Sequence, residues 1–312
     1  MKVNFKYCVV SIESIDLEDR TYLFSYPKRT SFLKESIKSV GLIQPPVLFL
    51  EESSSRLKII CGEGRINACQ ELGISEIPAF IVSKKPTKDL LLLSLESNLF
   101  RILNIVEKAE FIGKALRIFS TDEVIKLLPK LNLSPSFYWI EFLQAINRLE
   151  DTFKKLLIEE DLNPKIAKIL AYLSPEEKKE FLELLKKLNL SFSEQKEVLE
   201  KLLDYKKRKN LSCLLPDKLK EVLDIEDFNK RKKEFFETLR ELYYPHYVSK
   251  LKNISPIIKK FKKKHININF SPYFEKKELE IQFKTISFEE FKRKLEFIEE
   301  NKDKIKRILN KI

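Results

Sequence analysis

Leu57–Val82, LKIICGEGRINACQELGISEIPAFIV, is the stretch of sequence that decides the fold of the first part of this chain. An apolar run ends at Gly62 and is followed by a helical pattern of apolar residues that Gly73 closes. A second apolar run, at 77–82, comes directly after it. This order predicts a strand, a tight turn, a short helix and a second strand.

The first turn of the predicted helix carries Gly64 and Arg65. Free N–H groups at a helix start attract anions, a glycine lets a ligand approach the backbone, and an arginine adds a charged fork. A phosphate site fits this combination. An ordinary tight crossover with a surface arginine fits these residues equally well, so both interpretations stay open at this point.

Three further motifs surround this stretch. Ser36–Pro45, SIKSVGLIQP, precedes it; Glu96–Arg101, ESNLFR, follows it; and Leu103–Ala109, LNIVEKA, comes next. Together with Gly62–Arg65, GEGR, these boxes resemble in order and spacing those of the ParB partition proteins. The resemblance implies that residues 1–104 are similar to the ParB N-terminal domain.

The resemblance also implies a ligand, which is a cytidine nucleotide, CTP with Mg²⁺. The residues that match the family's nucleotide contacts, with Arg20 added from its place ahead of the first helix, are Arg20, Gln44, Gly62, Glu63, Gly64, Arg65, Asn98 and Arg101. The family further implies a CTP-gated dimeric clamp on DNA that acts in chromosome or plasmid partition, with a ParA-type ATPase as a partner. No catalytic residue is assigned.

Two departures from the family pattern bear on catalysis. Gly64 and Asn67 replace arginines of the nucleotide box, which weakens the compensation of phosphate charge. Ser97 stands where the third box has a glutamate, which argues against metal-assisted hydrolysis. Nucleotide binding survives such changes more easily than turnover does, so CTP hydrolysis is left open.

Charge is distributed unevenly along the 312 residues, whose net charge is +12. Residues 1–200 hold 29 basic and 29 acidic side chains, whereas residues 201–312 hold 30 and 18. The whole excess lies in the last third, which favours a polyanion such as DNA over a merely lysine-rich solvated surface. The densest basic run supplies the candidate phosphate contacts Lys259, Lys260, Lys262, Lys263 and Lys264.

The middle of the chain is helical in its apolar period. Helices are predicted over 107–119, 122–130 and 135–149, the last with Ser134 as N-cap and Pro135 at its first position. The last two have the spacing of a helix-turn-helix, which the family resemblance makes the unit that reads DNA. This reading helix is poor in basic residues, and its polar candidates for base contacts are Gln144, Asn147 and Arg148.

Three aromatic residues, Phe137, Tyr138 and Trp139, open the reading helix. We expect them in a core or an interface rather than stacked on bases.

The C-terminal segment predicts a helix, two strands and a helix. The first helix covers 249–264, and the strands alternate at 266–270 and 279–283. Ser287 then caps a helix that runs to Ile312 with apolar residues at coiled-coil-like intervals. Because a two-stranded sheet is unstable alone, we expect a homodimer held by this last helix. The order of elements is similar to the ParB C-terminal dimerisation domain.

Composition argues against several other classes of protein. No stretch approaches the ~20 apolar residues of a membrane span, and the N-terminus lacks the features of a signal peptide. A cytoplasmic protein is therefore expected, and the family resemblance implies that it is associated with the nucleoid. The four cysteines have no CxxC spacing, so we expect free thiols and no metal site.

The predicted fold is α+β, with four segments. An α/β nucleotide-binding domain at 1–104 precedes an all-helical domain at 105–210, a helical linker at 211–244 and a basic α-β-β-α domain at 245–312. Three functions stay open: the partition clamp, an enzyme on the same fold such as a small-molecule kinase or a nuclease, and an adaptor with decayed nucleotide and DNA sites. The long C-terminal extension favours the clamp over the enzyme, and no motif separates the clamp from the adaptor.

Overall fold

The computed structural model describes residues 4–27, 31–51, 56–83, 85–271 and 274–311. The chain divides into two compact units, Met1–Ser174 and Pro175–Ile312. These units are coarser than the four predicted domains, whose finer boundaries stay predictions. The mixed α+β class is confirmed, with a five-stranded sheet near the N-terminus and a mostly helical remainder.

A mixed sheet forms the first part of the N-terminal unit. Its strands are β1 (Lys6–Ser11), β2 (Ile15–Asp16), β3 (Val47–Leu50), β4 (Leu57–Cys61) and β5 (Glu76–Ser83), in the spatial order β1-β5-β3-β4-β2. β5 pairs antiparallel with β1 and parallel with β3, and β4 pairs antiparallel with β3 and parallel with β2. The polar residues 51–55 predict a turn between β3 and β4, and most of them lie outside the described residues.

Two short helices, α1 (Ser31–Val40) and α2 (Glu63–Glu71), connect these strands. The predicted strand–helix–strand order of the deciding stretch is confirmed by β4, α2 and β5. Its apolar residues enter one core, in which strand residues pack against those of α2; the fully buried members include Leu48, Ile59, Ala79, Ile66, Ala68 and Cys69.

The helix α3 (Thr87–Glu96) ends earlier than the sequence predicted. The apolar run at 90–93 predicts a helix that extends from Asp89 to Arg101. The hydroxyl of Ser97 and the amide Nδ2 of Asn98 both donate to the Ser94 carbonyl, at 2.8 and 2.9 Å. Because these side chains compete for a carbonyl that the helix itself uses, the chain turns after Glu96. Asn98 and Arg101 consequently lie on a turn.

The rest of the N-terminal unit is helical, with α4 (Ile105–Ala115), α5 (Thr121–Leu127), a 3-10 turn (Leu128–Leu131), α6 (Phe137–Asn147), α7 (Asp151–Ile158) and α8 (Ala167–Leu170). The predicted cap of α6 was wrong. Ser136 caps the helix by accepting from the Tyr138 N–H at 3.2 Å. Ser134 instead accepts from the indole Nε1 of Trp139 at 3.0 Å, because the helix starts two residues later than predicted.

Five helices open the C-terminal unit. They are α9 (Pro175–Leu188), α10 (Phe192–Lys209), α11 (Asp217–Leu223), α12 (Phe228–Tyr243) and α13 (Pro245–Lys262). The predicted strand pair follows as β6 (Ile266–Phe270) and β7 (Leu279–Phe283), antiparallel, with Ile268 opposite Ile281. A core cluster of Phe261, Ile268, Ile308 and neighbouring apolar residues holds α13, the hairpin and the last helices together.

The long C-terminal helix is broken, which corrects the prediction of one continuous helix to Ile312. Ser287 caps α14 (Phe288–Glu300) as predicted, and a second helix, α15 (Lys302–Leu309), follows after Asn301. The Asn301 side chain is 4% exposed and donates to the Phe297 carbonyl at 2.8 Å. This bond occupies a carbonyl that a continuous helix uses itself, so the helix stops at Asn301.

Within the described residues, no helix is both long enough and apolar enough to span a membrane.

Gly113 on α4 generates a prediction about stability. A Cβ at this position would lie 2.2 Å from Nδ2 of Asn147 on α6, so the two helices pack closely there. Glycine to alanine usually stabilises a helix by about 1 kcal/mol. Here we expect Gly113→Ala to lower the free energy of unfolding by about 1–3 kcal/mol, because the close contact must be relieved. Urea denaturation measures the change.

The control is the double variant Gly113→Ala with Asn147→Ala. Its free energy of unfolding should lie close to that of Asn147→Ala alone, because the close contact is then absent. A single variant that is more stable than the parent protein would contradict this description of the crossing.

Candidate functional site

A cavity of about 1170 Å³ lies in the N-terminal unit, between the end of β4, the start of α2, the loop before β3 and the turn after α3. We call it the main cavity. It brings together residues that the sequence predicted as nucleotide contacts, namely Gln44, Gly62, Glu63, Gly64, Arg65, Asn98 and Arg101. Arg20 does not line the cavity, but its guanidinium bonds the Glu63 carboxylate. The predicted set is therefore one spatial cluster.

The turn at Gly62 brings the chain from β4 into α2. Its φ is +96°, in the left-handed region, and a Cβ there would lie 2.8 Å from Cβ of Pro46. Only glycine fits both conditions without strain. Glu63 and Gly64 begin α2 directly on the wall of the cavity, where the N–H groups of a first helical turn favour an anion.

Arg65 is the cation of this wall that is available to a ligand. Its Nη1 donates to the carbonyls of Gln44, at 2.5 Å, and Pro45, at 3.5 Å. Within the described residues it has no carboxylate partner, unlike Arg101. The two carbonyls hold its side chain beside the loop before β3. Its positive charge is not compensated by a carboxylate of the described residues.

Arg101 has a different role. Its guanidinium forms two bonds, of 2.6 and 2.7 Å, with the Glu107 carboxylate on α4, whose side chain is 0% exposed. The same carboxylate accepts from the backbone N–H groups of Tyr26 and Asn104. Nη2 of Arg101 also bonds Oδ1 of Asn98 at 3.1 Å. Arg101 and Asn98 are thus engaged in holding α4 against the sheet domain.

The acidic lining residues are also paired. Glu63, whose side chain is 8% exposed, accepts from Nη1 of Arg20 at 2.6 Å. Glu96, at the end of α3, is bound by Nζ of Lys130 on the 3-10 turn. No group of three or more His, Cys, Asp or Glu side chains positioned to hold a metal ion occurs in the described part of the chain. Because Mg²⁺ takes only one or two carboxylates beside phosphate oxygens, the exposed Glu96 is the lining carboxylate that would serve such an ion.

Part of the lining of the main cavity is apolar. Phe32, Ile43, Phe80 and Phe100 line it, and Phe32 and Phe100 are 88% and 85% exposed. Aromatic rings offer faces on which a nucleobase can stack. The cavity therefore combines a cationic helix start with a surface suited to a base, and its residues fit a nucleotide.

A segment ahead of the first helix, Arg20–Pro27, connects the cavity to the helices. Nζ of Lys114 on α4 donates to the Arg20 carbonyl at 2.6 Å, and the Tyr26 hydroxyl donates to Oδ1 of Asp151 on α7 at 2.5 Å. Burial lowers the pKa of Lys114, while burial and the bond to Asp151 raise the pKa of Tyr26. These two hydrogen bonds attach the segment to α4 and to α7.

The three residues that were predicted to contact DNA bases from α6 differ in exposure and packing. Arg148 is exposed at the end of the helix and Gln144 is half-buried. The amide of Asn147 packs against Gly113. Asn147 is therefore poorly placed to contact a base.

Sequence reasoning missed two neighbours of this helix, Lys168 and Tyr172. Nζ of Lys168 on α8 lies 4.8 Å from the centre of the Tyr138 ring, and Tyr172 lies under Arg148 at 6.0 Å. Phe137, Tyr138 and Tyr172 are exposed, so Phe137 and Tyr138 do not lie in a core. The helical period predicted that Tyr138 and Arg148 lie within three turns of each other. No local sequence pattern predicted that Lys168 and Tyr172 would contact them.

The five predicted lysines lie in the last turn of α13 or directly after it, and all five are exposed. Lys260 donates to Oδ1 of Asn301 at 3.0 Å. Within the described residues, the amino groups of Lys259, Lys262, Lys263 and Lys264 have no carboxylate within 4.0 Å. The end of α13 is therefore a concentrated and uncompensated positive surface.

An apolar strip lies along α14 in the same unit. Ile286, Phe288, Phe291 and Leu295 are exposed, with Ile286 at 99%. Spacings of three and four residues place Phe288, Phe291 and Leu295 on one face of the helix. Ile305 and Ile308 of α15, by contrast, belong to the core of the unit.

Comparison with known proteins identifies the first part of the chain. Residues 9–99 match the model of the ParB N-terminal domain. A probable chromosome-partitioning protein ParB of Vibrio cholerae is 25% identical over 189 residues, which cover 60% of this chain and 62% of that protein. One of Neisseria meningitidis is 40% identical over 79 residues, which cover 25% of this chain and 27% of that protein. The matched region spans less than two thirds of either relative.

Two solved structures also align with the chain. C-terminally truncated ParB of Caulobacter crescentus, complexed with CTP-gamma-S, aligns at 20% identity with a TM-score of 0.25 and covers 58% of this chain and 97% of that one. A Pnob8-like ParB-N domain aligns at 16% identity with a TM-score of 0.40 and covers 78% and 99%. At these scores the assignment depends on the domain model and the curated relatives. Residues 9–99 therefore form a ParB N-terminal domain, and the chain is similar to the ParB-type chromosome-partitioning proteins.

Proposed function

We propose that this protein is a dimeric, DNA-binding clamp of the ParB type that acts in chromosome or plasmid partition and binds a cytidine nucleotide in the main cavity. The observation that carries the proposal is the clustering of the GEGR and ESNLFR boxes around one cavity with an uncompensated arginine. A location on the nucleoid and a ParA-type ATPase as partner belong to the same proposal.

The nucleotide part of the proposal is supported by the cationic and the aromatic residues that line the cavity. Arg65 and the first turn of α2 supply positive potential for phosphates, and the wall of Phe32, Phe80 and Phe100 supplies faces for a base. The Caulobacter crescentus relative was crystallised with CTP-gamma-S, which makes CTP the first nucleotide to test.

The DNA part is supported by charge. Phosphate contacts provide most of the affinity of non-specific DNA binding, and each contributes roughly one unit of salt slope. The five lysines at the end of α13 form the positive surface described above, whereas α6 offers Arg148 and, beside it, Lys168. We propose that the α13 lysines bind duplex phosphates and that α5 and α6 act as a helix-turn-helix adding a modest base preference.

The dimer part is supported by the apolar strip on α14. Phe288, Phe291 and Leu295 project from one face of a helix that is already packed on its other side. Exposed contiguous apolar patches on a soluble chain mark interaction sites. A second copy of α14 provides the matching apolar face in an isologous contact.

Titration calorimetry tests nucleotide binding. We expect the full chain to bind CTP more tightly than ATP or GTP, and Arg65→Ala to weaken CTP binding by roughly tenfold or more, because a charge-assisted hydrogen bond contributes about 1.5–3 kcal/mol. Lys34→Ala is the control, since Lys34 pairs with Glu71 outside the cavity. Absence of heat with every nucleotide, alone and with DNA, would favour an adaptor with a decayed site.

DNA binding is tested by changing the five α13 lysines to glutamine. We expect affinity for random duplexes to fall by orders of magnitude and the salt slope to decrease by about four to five, measured by fluorescence anisotropy between about 50 and 200 mM salt. The matched control changes five exposed lysines of the N-terminal unit, namely Lys6, Lys38, Lys88, Lys126 and Lys155. If Arg148→Ala abolishes binding while the quintuple variant retains it, the helical middle region is the DNA-binding unit.

The dimer is tested by light scattering. We expect the parent chain to have twice the monomer mass, and Phe288→Glu with Leu295→Glu to reduce it to the monomer mass, because two buried charges cannot be paired in the contact. Arg293→Glu is the control, since about 100° per residue places it on the opposite side of α14. A double variant that stays dimeric would move the contact elsewhere.

A further inference from the structure

Two lysines and a buried asparagine meet where α13 contacts the break between α14 and α15. Nζ of Lys260 and Nζ of Lys304 both donate to Oδ1 of Asn301, at 3.0 and 2.9 Å. We infer that Lys260 and Lys304 form one site for a single phosphate group, supplied by the DNA backbone. The inference rests on the DNA part of the proposed function and adds Lys304 and Asn301 to it.

Asn301 fixes the direction in which this site opens. The residue is buried, and its Nδ2 donates to the Phe297 carbonyl at 2.8 Å. A flipped amide would place its oxygen against that carbonyl, and two acceptors cannot bond each other. Oδ1 is therefore the end of the amide that faces the two amino groups. Asn301 is a positioning residue, because it holds both ammonium groups beside one point of the surface.

The two ammonium groups are close enough to repel each other. Because both nitrogens lie about 3 Å from the same oxygen, they are within about 6 Å of each other. The proximity of Lys260 lowers the pKa of Lys304, and desolvation lowers it further. An anion between two such cations removes the repulsion. A phosphate therefore stabilises this arrangement more than it would stabilise two separate lysines.

No carboxylate of the described residues compensates this pair of lysines. Both side chains are exposed, and neither amino group has a carboxylate oxygen within 4.0 Å there. Lys302, two positions before Lys304, is paired with Glu299 at 2.8 Å. That carboxylate and then Asp303 raise the pKa of Lys302. The acidic groups of this turn thus act on Lys302, and the other two lysines are left as a pair of cations.

Lys260 also connects the site to the positive surface at the end of α13. Its Nζ lies 5.5 Å from the centre of the Phe297 ring, so the side chain is directed towards α14 and α15. Lys263 follows three residues later, on the same side of the helix. The positive surface therefore continues from α13 onto α15, and Lys304 is its member on the second helix. Lysine binds phosphate as a point charge, so two of them can share one phosphate group.

The salt dependence of DNA binding counts phosphates and tests whether the two lysines share one. Each neutralised phosphate contributes roughly 0.9 to the slope. We expect Lys260→Gln with Lys304→Gln to reduce the slope by about one, and each single variant to leave it almost unchanged because the remaining lysine keeps the phosphate. Lys259→Gln with Lys264→Gln should reduce it by about two. Fluorescence anisotropy with a random duplex, between about 50 and 200 mM salt, measures these slopes.

Lys302→Gln is the matched control, because its charge lies on the same helix but is already paired with Glu299. We expect it to leave the slope unchanged. A decrease of about two for the Lys260 and Lys304 double variant means two separate phosphates, and no decrease means none. Either result overturns the inference while the DNA function stands. If the parent chain binds no duplex DNA, that part of the proposed function fails, and the following measurement decides on the site.

Titration of the Lys304 amino group by nuclear magnetic resonance tests the site directly. We expect Lys260→Gln to raise the pKa of Lys304, because the repulsion is removed. Asn301→Asp should raise it too and should reduce the DNA salt slope by about one, because its carboxylate takes the place of the phosphate. A purely structural role of Asn301 would not produce this pair of changes.

Bound phosphate should also raise the pKa of Lys304 in the parent chain, with Lys302 as the unchanged reference. The measurement is made with duplex DNA and with inorganic phosphate. An effect of both ligands supports a site for any phosphate group, and an effect of DNA alone supports a site that needs the backbone. If neither ligand changes the pKa of Lys304, the inference is wrong.

Discussion

The buried pair of Arg101 and Glu107 is the interaction on which the N-terminal unit depends. The carboxylate receives two guanidinium bonds and two backbone N–H groups, from Tyr26 and Asn104, in a position without solvent exposure. It therefore joins two parts of the chain that are distant in sequence, the segment at Tyr26 and residues 101–107. Removing either partner would leave a buried charge, at a cost of about 3–5 kcal/mol. The cavity and the helices beside it are built around this junction.

The pair also explains why a motif predicted the location of residues better than their roles. The boxes placed Gly62–Arg65 and Asn98 around one cavity, because glycine turns and helix starts are local features that short patterns describe well. The commitment of Arg101 to Glu107, and of Glu63 to Arg20, depends on contacts over 6 and 43 positions. The box residues Glu63, Arg65 and Arg101 all line the cavity. Glu63 and Arg101 are paired with other side chains of the protein, whereas Arg65 has no carboxylate partner among the described residues.

The same limit applies outside the cavity. Strands β3 to β7 and most helices were predictable from apolar periodicity, because burial of one face follows directly from it. The errors lie where side chains compete with the backbone. Ser97 and Asn98 stop α3 early, Ser136 rather than Ser134 caps α6, and Asn301 divides the last helix. Asn147, polar and therefore predicted as a base reader, is instead packed against Gly113 because two helices cross there.

Because the helix breaks at Asn301, α15 packs into the core of the unit while α14 presents an apolar face to solvent. α15 turns Ile305 and Ile308 into the core with Phe261 and Ile268, so the unit completes its own packing. α14 keeps Phe288 and Leu295 outside that core. A unit built in this way completes its core without a partner. In the proposed dimer, two copies joined through α14 would consequently separate and exchange partners while each kept its tertiary structure.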